Sequence, residues 1–367
     1  MKIAFYSYWY LHYTANLANE LVKTNNVFVF VNKNSQEVNN SKDVFDIFNN
    51  SIKIIANNYP QNKIKKISWI IKILISIKKN KFDVLHMHES RSILPLWPIK
   101  LFFPSLPIIW TLHDVRPHLG EEKYYKNELV LKLNRIMVHE IIVHGEFIKN
   151  QLLSECAYID RWKIHVLHHG ALNSYKEKTK ECSINIKADY ILFFGRMYKY
   201  KGLKVVIEAQ PIVNNSFPDL KFVIAGRGDD LEEQKYKIKG NDSFIIFDYY
   251  LSDNEVNYLF DHTQFIIVPY LEASQSGVIA LAFSYGKTVV ASNVGSIPEI
   301  VDNNHNGLII PQNNHIELAN AIIKLYSNKV LLKRLSTGAN NFSQSILSWH
   351  SISEMTKTIY YSSMRKK

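Results

Sequence analysis

The stretch VPYLEASQSGVIALAFSYGKTVVASNVGSIPE, Val268 to Glu299, decides how this chain is read. Phe265-Ile266-Ile267-Val268 leads into it as a short apolar run, the signature of a buried strand, and Pro269 and Tyr270 end that strand. A polar loop follows, Glu272-Ala273-Ser274-Gln275-Ser276-Gly277, carrying a carboxylate, two hydroxyls, an amide and a glycine. Val278 to Tyr285 then reads as a helix of small and apolar residues closed by Gly286. Thr288 to Ala291 is a second strand. After it come the polar turn Asn293-Val294-Gly295-Ser296 and a short helix with Pro298 near its start and Glu299 inside it. Each strand thus delivers a polar loop to a helix N-terminus. In an open parallel sheet such loops lie at the carboxyl edge, where ligands bind. The unpaired N–H groups and partial positive charge of a helix start suit an anion such as a diphosphate. Strand–loop–helix units also occur without a ligand.

Outward from that stretch the same alternation fills the chain. In the second half, strands are expected at Tyr190–Phe194, Lys221–Ala225, Phe244–Phe247, Phe265–Val268, Thr288–Ala291 and Leu308–Ile310. Helices fit between and after them, near Leu203–Asn214, Leu231–Lys237, Asp253–Asp261, Val278–Tyr285, Ile316–Ser327 and Lys329–Thr337. The first half repeats the plan. Its strands are expected at Lys2–Ser7, Val27–Val31, Ile52–Ala56, Asp83–Met87, Ile108–Leu112, Glu140–Val143 and His165–Leu167, with helices at about Thr14–Lys23, Ile64–Asn80, Glu122–Met137 and Glu146–Glu155. Such alternation means βαβ units and mostly parallel sheets. Gly170 to Ala188 is polar and lacks an apolar period, so the linker is placed there. The expected fold is α/β, two Rossmann-like doubly wound domains facing a cleft. They are placed at residues 1–172 and 187–345, with a C-terminal helix at about 346–367 returning to the first.

Composition agrees and narrows the function. A chain of 367 residues with 47% hydrophobic content has enough for two cores. Its 44 basic against 33 acidic residues leave +11, which invites phosphorylated small molecules, an anionic membrane or nucleic acid. No nucleic-acid reader motif appears, so nucleic acid is set aside. Cys156 and Cys182 have neither CxxC nor Cys/His metal spacing, which fits a reducing cytoplasm and no disulfide framework. The start, MKIAFYSYWY, lacks a cleavage pattern and reads as a strand. The longest apolar run, Ile67 to Ile77, is interrupted by Lys72 and falls short of the ~20 residues of a membrane span. The helix around it is basic at both ends. A packed surface helix with its lysines outward is the first expectation, and a helix lying on an anionic bilayer the other.

Four groups of residues can carry chemistry. Gly195-Arg196-Met197-Tyr198-Lys199-Tyr200-Lys201-Gly202 ends a strand and opens a helix, so Arg196 and Lys201 can both reach one diphosphate; a solvated basic loop is the alternative. Gly226-Arg227-Gly228 follows another strand, and its glycines permit close backbone approach to a ligand. His113, after the strand Ile108–Leu112, can donate to a hydroxyl or to developing negative charge, with Asp114 orienting it or capping the next turn. Tyr13 and Thr14 follow the first strand and are expected to cap the first helix. His86 and His88 alternate along one strand and share a face, but no carboxylate–His set completes a metal site; His168 and His169 are read as loop residues.

Taken together these residues resemble a retaining nucleotide-sugar glycosyltransferase of the GT-B fold, similar to glycosyltransferase family 4. The likeness is most specific from Tyr190 to Pro311. Gly195-Arg196 to Lys201-Gly202 resembles the family's diphosphate-binding Gly-Arg…Lys-Gly motif, which implies that role for Arg196 and Lys201. Gly226 and Gly228 resemble the loop near the nucleotide base. Gly286 to Ser292, then Val294-Gly295 and Pro298-Glu299, resemble the segment after the donor loop. His113 takes the place of a histidine beside the transferred sugar, and the segment of Trp349 that of a helix crossing back to the first domain. Two departures stand out. The family's paired glutamates, with seven residues between them, fall here on Ala273 and Leu281, leaving Glu272, Ser274, Gln275, Ser276 and Gly277 to hold the donor. Tyr10-Leu11-His12-Tyr13-Thr14 replaces the usual glycine pair after the first strand, on the side that often faces the acceptor. The resemblance implies a metal-independent, cytoplasmic hexosyltransferase acting in polysaccharide biosynthesis, with a nucleotide-sugar donor, a glycan or lipid-linked acceptor and peripheral contact with an anionic membrane. The alternatives are a nucleotide-sugar 2-epimerase of the same fold and a catalytically silent binder of glycan or nucleotide.

Overall fold

The computed structural model describes residues 1–7, 10–33, 44–58, 62–88, 96–116, 128–172 and 182–365. They divide into two compact units. Among the described residues, the first runs from Met1 to Val115, resumes at Glu128, continues to His168 and takes in the C-terminal helix; the second comprises Arg116 and His169–Ser348. Of the sequence expectations, the start of the helix at Glu122–Met137 and the middle of the linker lie outside the described residues.

The first unit is built from β1 (Lys2–Ser7), α1 (Leu11–Leu21), β2 (Asn26–Asn32), β3 (Lys53–Asn57), α2 (Lys63–Asn80), β4 (Val84–His88), α3 (Trp97–Phe102), β5 (Ile108–Thr111), α4 (Glu128–Met137), β6 (Glu140–Val143), α5 (Glu146–Glu155) and β7 (Ile164–Val166). The second holds β8 (Tyr190–Phe194), α6 (Leu203–Ser216), β9 (Lys221–Ala225), α7 (Asp229–Ile238), β10 (Phe244–Phe247), α8 (Asp253–His262), β11 (Ile266–Val268), α9 (Gly277–Ser284), β12 (Val289–Ser292), β13 (Gly307–Ile310), α10 (His315–Ser327) and α11 (Lys329–Ser345). The C-terminal helix of the first unit is α12 (Trp349–Arg365). The seven-stranded sheet has the order β3-β2-β1-β4-β5-β6-β7 and the six-stranded sheet β10-β9-β8-β11-β12-β13. Every pairing among these strands is parallel.

Parallel strands covered on both faces read as continuous apolar runs, and their alternate residues feed two cores. In β1, Ala4 and Tyr6 join a core with Trp69, Ile73 and Ile77 of α2 and Ile148 of α5. Ile3 and Phe5 point the other way, to Leu17 and Leu21 of α1 and Ile352 and Ile359 of α12. In the second unit, Tyr190 and Leu192 of β8 pack with α8 and α9, while Ile191 and Phe193 pack with α6 and α10. Helix starts are closed by side-chain caps, including Asn62, Ser276, Asn314 and Asn328. Ser252 and Glu255 form a reciprocal capping box at α8.

Apart from the start of α1, taken up with the site, α3 and α11 differ from the sequence reading. α3 is unanticipated, because six residues are too few to show a helical period. α11 runs through Gly338, past its expected end at Thr337, to Ser345. Gly338 is a packing site: a Cβ there would lie 2.1 Å from the His305 carbonyl oxygen. Among the described residues no helix is long and apolar enough to cross a membrane.

Candidate active site

Strand order locates the site before any side chain is considered. In an open α/β sheet, ligands bind where the order reverses, outside the strand carboxyl ends. In the second unit that point lies between β8 and β11. The loops leaving these strands are Gly195–Gly202 and Pro269–Ser276.

These loops are stitched together by backbone contacts. Gly195 N donates to Ala225 O at 3.0 Å and Met197 N to Arg227 O at 2.9 Å, tying the β8 loop to the β9 loop. Leu271 N donates to Tyr200 O at 2.7 Å, tying it to the β11 loop. Ser296 N donates to Ser274 O at 3.3 Å, which brings in the turn after β12. Gly202, at φ 78°, lets the Pro269 carbonyl approach so closely that a Cβ would lie 2.1 Å from its oxygen. Gly226 and Gly228 do permit close backbone approach, but the partner is this chain: Cβ atoms there would lie 1.9 Å from Gly195 O and 2.3 Å from Met197 O.

Lys201 occupies the junction. It is 8% exposed, and Nζ donates to the Tyr270 hydroxyl at 2.5 Å. The same ammonium lies 4.1 Å from the Tyr270 ring centroid and 5.1 Å from that of Tyr200, within cation–π range. Tyr270 in turn shares a side-chain hydrogen bond with Ser276, and burial holds its hydroxyl firmly protonated. Ser276 is the N-cap of α9 and accepts from Ile279 N at 3.3 Å. A Cβ on Gly195 would sit 3.6 Å from Lys201 Nζ and 3.7 Å from Val278 Cγ2 in the first turn of α9. Ammonium, glycine backbone and helix start are therefore gathered at one place. Arg196 is exposed, with its guanidinium 5.6 Å over the Tyr198 ring. Glu272 is exposed and Ser274 buried. Gln275 Oε1, Ser292 Oγ and Ser296 Oγ are buried without a hydrogen-bond partner, an arrangement that costs free energy until a donor or acceptor meets them. Ala273 and Leu281 are core residues, 6% and 2% exposed.

The order of the first sheet reverses between β1 and β4. There the carboxyl edge holds histidines and aromatic rings. His113 is fully buried; the Tyr10 ring stacks on it at 3.8 Å and 12°, and Tyr13 meets it edge-on at 5.1 Å. His86 and His88 share a face, as their alternation requires, with ring centroids 4.3 Å apart. His86 bridges Tyr360 Oη at 2.5 Å and Thr111 Oγ1 at 2.8 Å. Thr111 also hydrogen-bonds Tyr13. Burial, then the nearby His144, pushes the His86 pKa down to about 3. His88 is held well below the ordinary range by burial, then by His86 and His144. Asp114 Oδ2 accepts from the Tyr10 hydroxyl at 3.4 Å.

Tyr13 and Thr14 do not cap the first helix. The N-cap is Tyr10, in the left-handed region at φ 62°, ψ 42°, and the helix begins at Leu11. Thr14, inside it, donates to Tyr10 O at 3.0 Å and also meets Ser7 Oγ at 2.6 Å and His88 Nδ1 at 2.8 Å. A non-glycine residue in that region stores local strain.

Sequence reasoning missed Tyr270, Tyr360 and His169. His169 is buried, its Nδ1 donates to Gly170 O at 2.9 Å, and its Nε2 lies 3.8 Å from where a Gly277 Cβ would be. Burial lowers its pKa to about 4, so it is neutral beside the α9 start. Its one sequence signal was the polar pair His168-His169 at a strand's carboxyl end. Among the described residues no group of three or more His, Cys, Asp or Glu is arranged to hold a metal ion.

Two parallel sheets of this order, each with its loops at the carboxyl edge, have the architecture of the GT-B fold, and comparison with known proteins agrees. Residues 12–171 match the model of Glycosyltransferase Family 4 and residues 188–328 that of Glycosyl transferases group 1. The chain is a glycosyltransferase whose first part matches the family 4 model and whose second part matches the group 1 model. It is 27% identical over 318 residues to an uncharacterised glycosyltransferase of Methanocaldococcus jannaschii, covering 84% of both chains. It is 25% identical over 290 residues to the Escherichia coli UDP-Gal:alpha-D-GlcNAc-diphosphoundecaprenol alpha-1,3-galactosyltransferase, covering 73% of this chain and 72% of that one. The solved structure of Anabaena HepE in complex with UDP-glucose superposes with a TM-score of 0.76 over 99% of this chain and 100% of that one, at 15% identity, so the fold is shared.

Proposed function

We propose that this glycosyltransferase moves a sugar, with retention, from a nucleoside-diphosphate donor to a glycan or lipid-linked acceptor in cell-surface polysaccharide biosynthesis. Residues 187–345 take the donor, and residues 1–172 with the C-terminal helix serve the acceptor side, through Tyr13, Thr14 and Asp114. In the reaction the bond from the sugar's anomeric carbon to the diphosphate oxygen breaks, and one to the acceptor oxygen forms. The acceptor loses a proton and the diphosphate leaves with its added charge. Lys201, Arg196 and the N–H groups at Ser276 and Gly277 offset that charge in a partly dry setting, where fixed charges act most strongly. Gly195, Gly226 and Gly228 hold the loop backbone in place. Glu272, Ser274 and Gln275 bind the sugar and ribose hydroxyls, which would satisfy Gln275 Oε1. His113 donates to the sugar as it reacts. With cations and a helix start in the role a metal can play, turnover should persist in excess EDTA.

One observation carries this reading: the Lys201 ammonium lies against Gly195 and is linked through Tyr270 to the cap of α9, at the strand-order reversal. The E. coli relative, whose name gives a UDP-sugar donor and a diphosphoundecaprenol acceptor, supports the substrate class. Lys201→Ala and Arg196→Ala are expected to cut turnover by about 10²-fold or more while folding survives. Unchanged turnover in both would remove the assignment. A second reading, nucleotide binding without transfer, is favoured by Leu281, an apolar core residue where the family carries a glutamate. Binding of a nucleotide sugar with no product from any acceptor would establish it.

A further inference from the structure

Four helices cover one face of the first sheet. Trp69, Ile73 and Ile77 of α2, Ile99 of α3 and Ile148 and Leu152 of α5 enter a single core. α4 joins the same layer, because Asn134 Oδ1 accepts from Leu96 N, at the α3 N-cap, at 3.0 Å. The inward side of this layer is ordinary. The outward side is not, because water-facing helices normally carry mixed polar residues there.

On α2 the outward row is Ile67, Ile71 and Ile75, which are 61%, 49% and 60% exposed at successive i, i+4 positions. On α3 it is Trp97, Leu101 and Phe102, at 56%, 67% and 64%. Leu133 and Ile136 of α4 are also exposed. By contrast, the exposed large apolar side chains of the second unit are scattered singly or in one adjacent pair over several elements, such as Tyr236, Ile316 and Val330. Scattered residues need no explanation; a concentrated set does.

Charge identifies what covers it. From Asn62 to Phe82 the chain carries seven lysines and no carboxylate, and from Leu96 to His113 it carries Lys100 and again no carboxylate. Lys65, Lys72 and Lys79 recur every seventh residue, so they form one stripe beside the isoleucine row, and all are exposed. A row of branched apolar side chains edged by cations, with a tryptophan at its rim, matches an anionic bilayer surface: the apolar row enters the acyl boundary and the ammonium groups meet headgroups. A second copy would set this lysine stripe near itself, with no carboxylate on α2 or α3 to offset it. Nucleic acid would engage the lysines and leave the isoleucines in water.

We infer that the outer face of α2 and α3 docks this enzyme on an anionic membrane. The inference rests on the proposed function only for its purpose, delivery of a lipid-linked acceptor; docking itself is read without turnover. The test is co-sedimentation of the full chain with vesicles of phosphatidylglycerol and phosphatidylcholine in equal parts, against phosphatidylcholine alone. Binding is expected to the anionic vesicles and to fall as salt is raised. Lys72→Ala and Lys79→Ala should each weaken partition by about fivefold, the value of one cation near an anionic surface. Ile71→Asp with Leu101→Asp should abolish it, while Tyr236→Asp on α7 leaves it unchanged. Equal binding to both vesicle types, no binding, or loss with Tyr236→Asp would overturn the inference, as would concentration-dependent self-association through α2 in place of partition. Because all these positions are exposed, circular dichroism should be unaltered; should the aspartates unfold the chain, Leu101→Ser and the wild-type salt series decide alone. Vesicle binding lost with transfer to a water-soluble acceptor intact leaves the transferase reading standing. The converse overturns that reading alone.

Discussion

The carboxyl edge of the first sheet and that of the second start from the same strand order and end in different chemistry. At the first, Tyr10, Tyr13, His86, His88 and His113 are packed ring against ring, and burial keeps His86 and His88 neutral. At the second, glycines draw the loops into contact and a cation sits among tyrosines at a helix start. Topology sets where a ligand can go; the residues placed there set which ligand. On the function proposed above, the first edge would serve hydroxyl groups and the second a diphosphate.

That contrast can be broken at several points. The largest expected effect is at Gly202, where φ is 78° and a Cβ would lie 2.1 Å from Pro269 O. Gly202→Ala should lose ~3 kcal/mol or more of stability in a denaturant titration, as backbone strain and a steric overlap add. Gly240→Ala is the control: its φ is 76° but nothing lies within 4 Å of the added carbon, so only the ~1–2 kcal/mol conformational cost should appear. Equal losses would mean that the loop junction is not close-packed.

Acid should separate the two units next. His86 has its pKa lowered to about 3 in the folded chain, and His88 shifts the same way. The unfolded chain therefore binds those protons first, near pH ~6.5, and stability is lost as pH falls below that value. The slope approaches ~1.4 kcal/mol per pH unit for each such histidine. In the second unit, His169 shifts the same way, while burial raises the Asp230 pKa, so protonation of Asp230 favours the folded state as pH falls. Hydrogen exchange below pH ~6 should show β4 losing protection before β8. The reverse order would contradict the assignment of the neutral cluster to the first edge.

Smaller effects sharpen the picture. Tyr360→Phe removes the partner of His86 Nδ1, and ~1–2 kcal/mol should be lost from the first unit. Ser276→Ala removes the cap of α9 and the bond to Tyr270, and should cost ~1 kcal/mol of stability. Its effect on turnover should exceed its effect on stability, since Lys201 is positioned through Tyr270.

The fold was legible because strands buried on both faces leave apolar runs at regular intervals, as in Tyr190–Phe194. The Gly195–Lys201 and Ser276–Gly277 loops were legible because glycine, cation and cap residues stand where a strand turns into a helix. What stayed hidden depends on distance along the chain. Tyr360 meets His86 across 274 residues, and Tyr270 meets Lys201 across 69, so no local pattern announces either. The start of α1 was misplaced because a threonine resembles a cap, whereas the chain turns at Tyr10 in a conformation rarely adopted by tyrosine.

Diphosphate binding at the β8 and β11 loops is tested by hydrogen exchange on the full chain with and without each common nucleoside diphosphate. One of them is expected to slow exchange at residues 195–203 and 274–280, and Lys201→Gln to remove that protection while leaving the first sheet unchanged. Protection confined to the carboxyl edge of the first sheet, or protection at the second edge that survives Lys201→Gln, would contradict it.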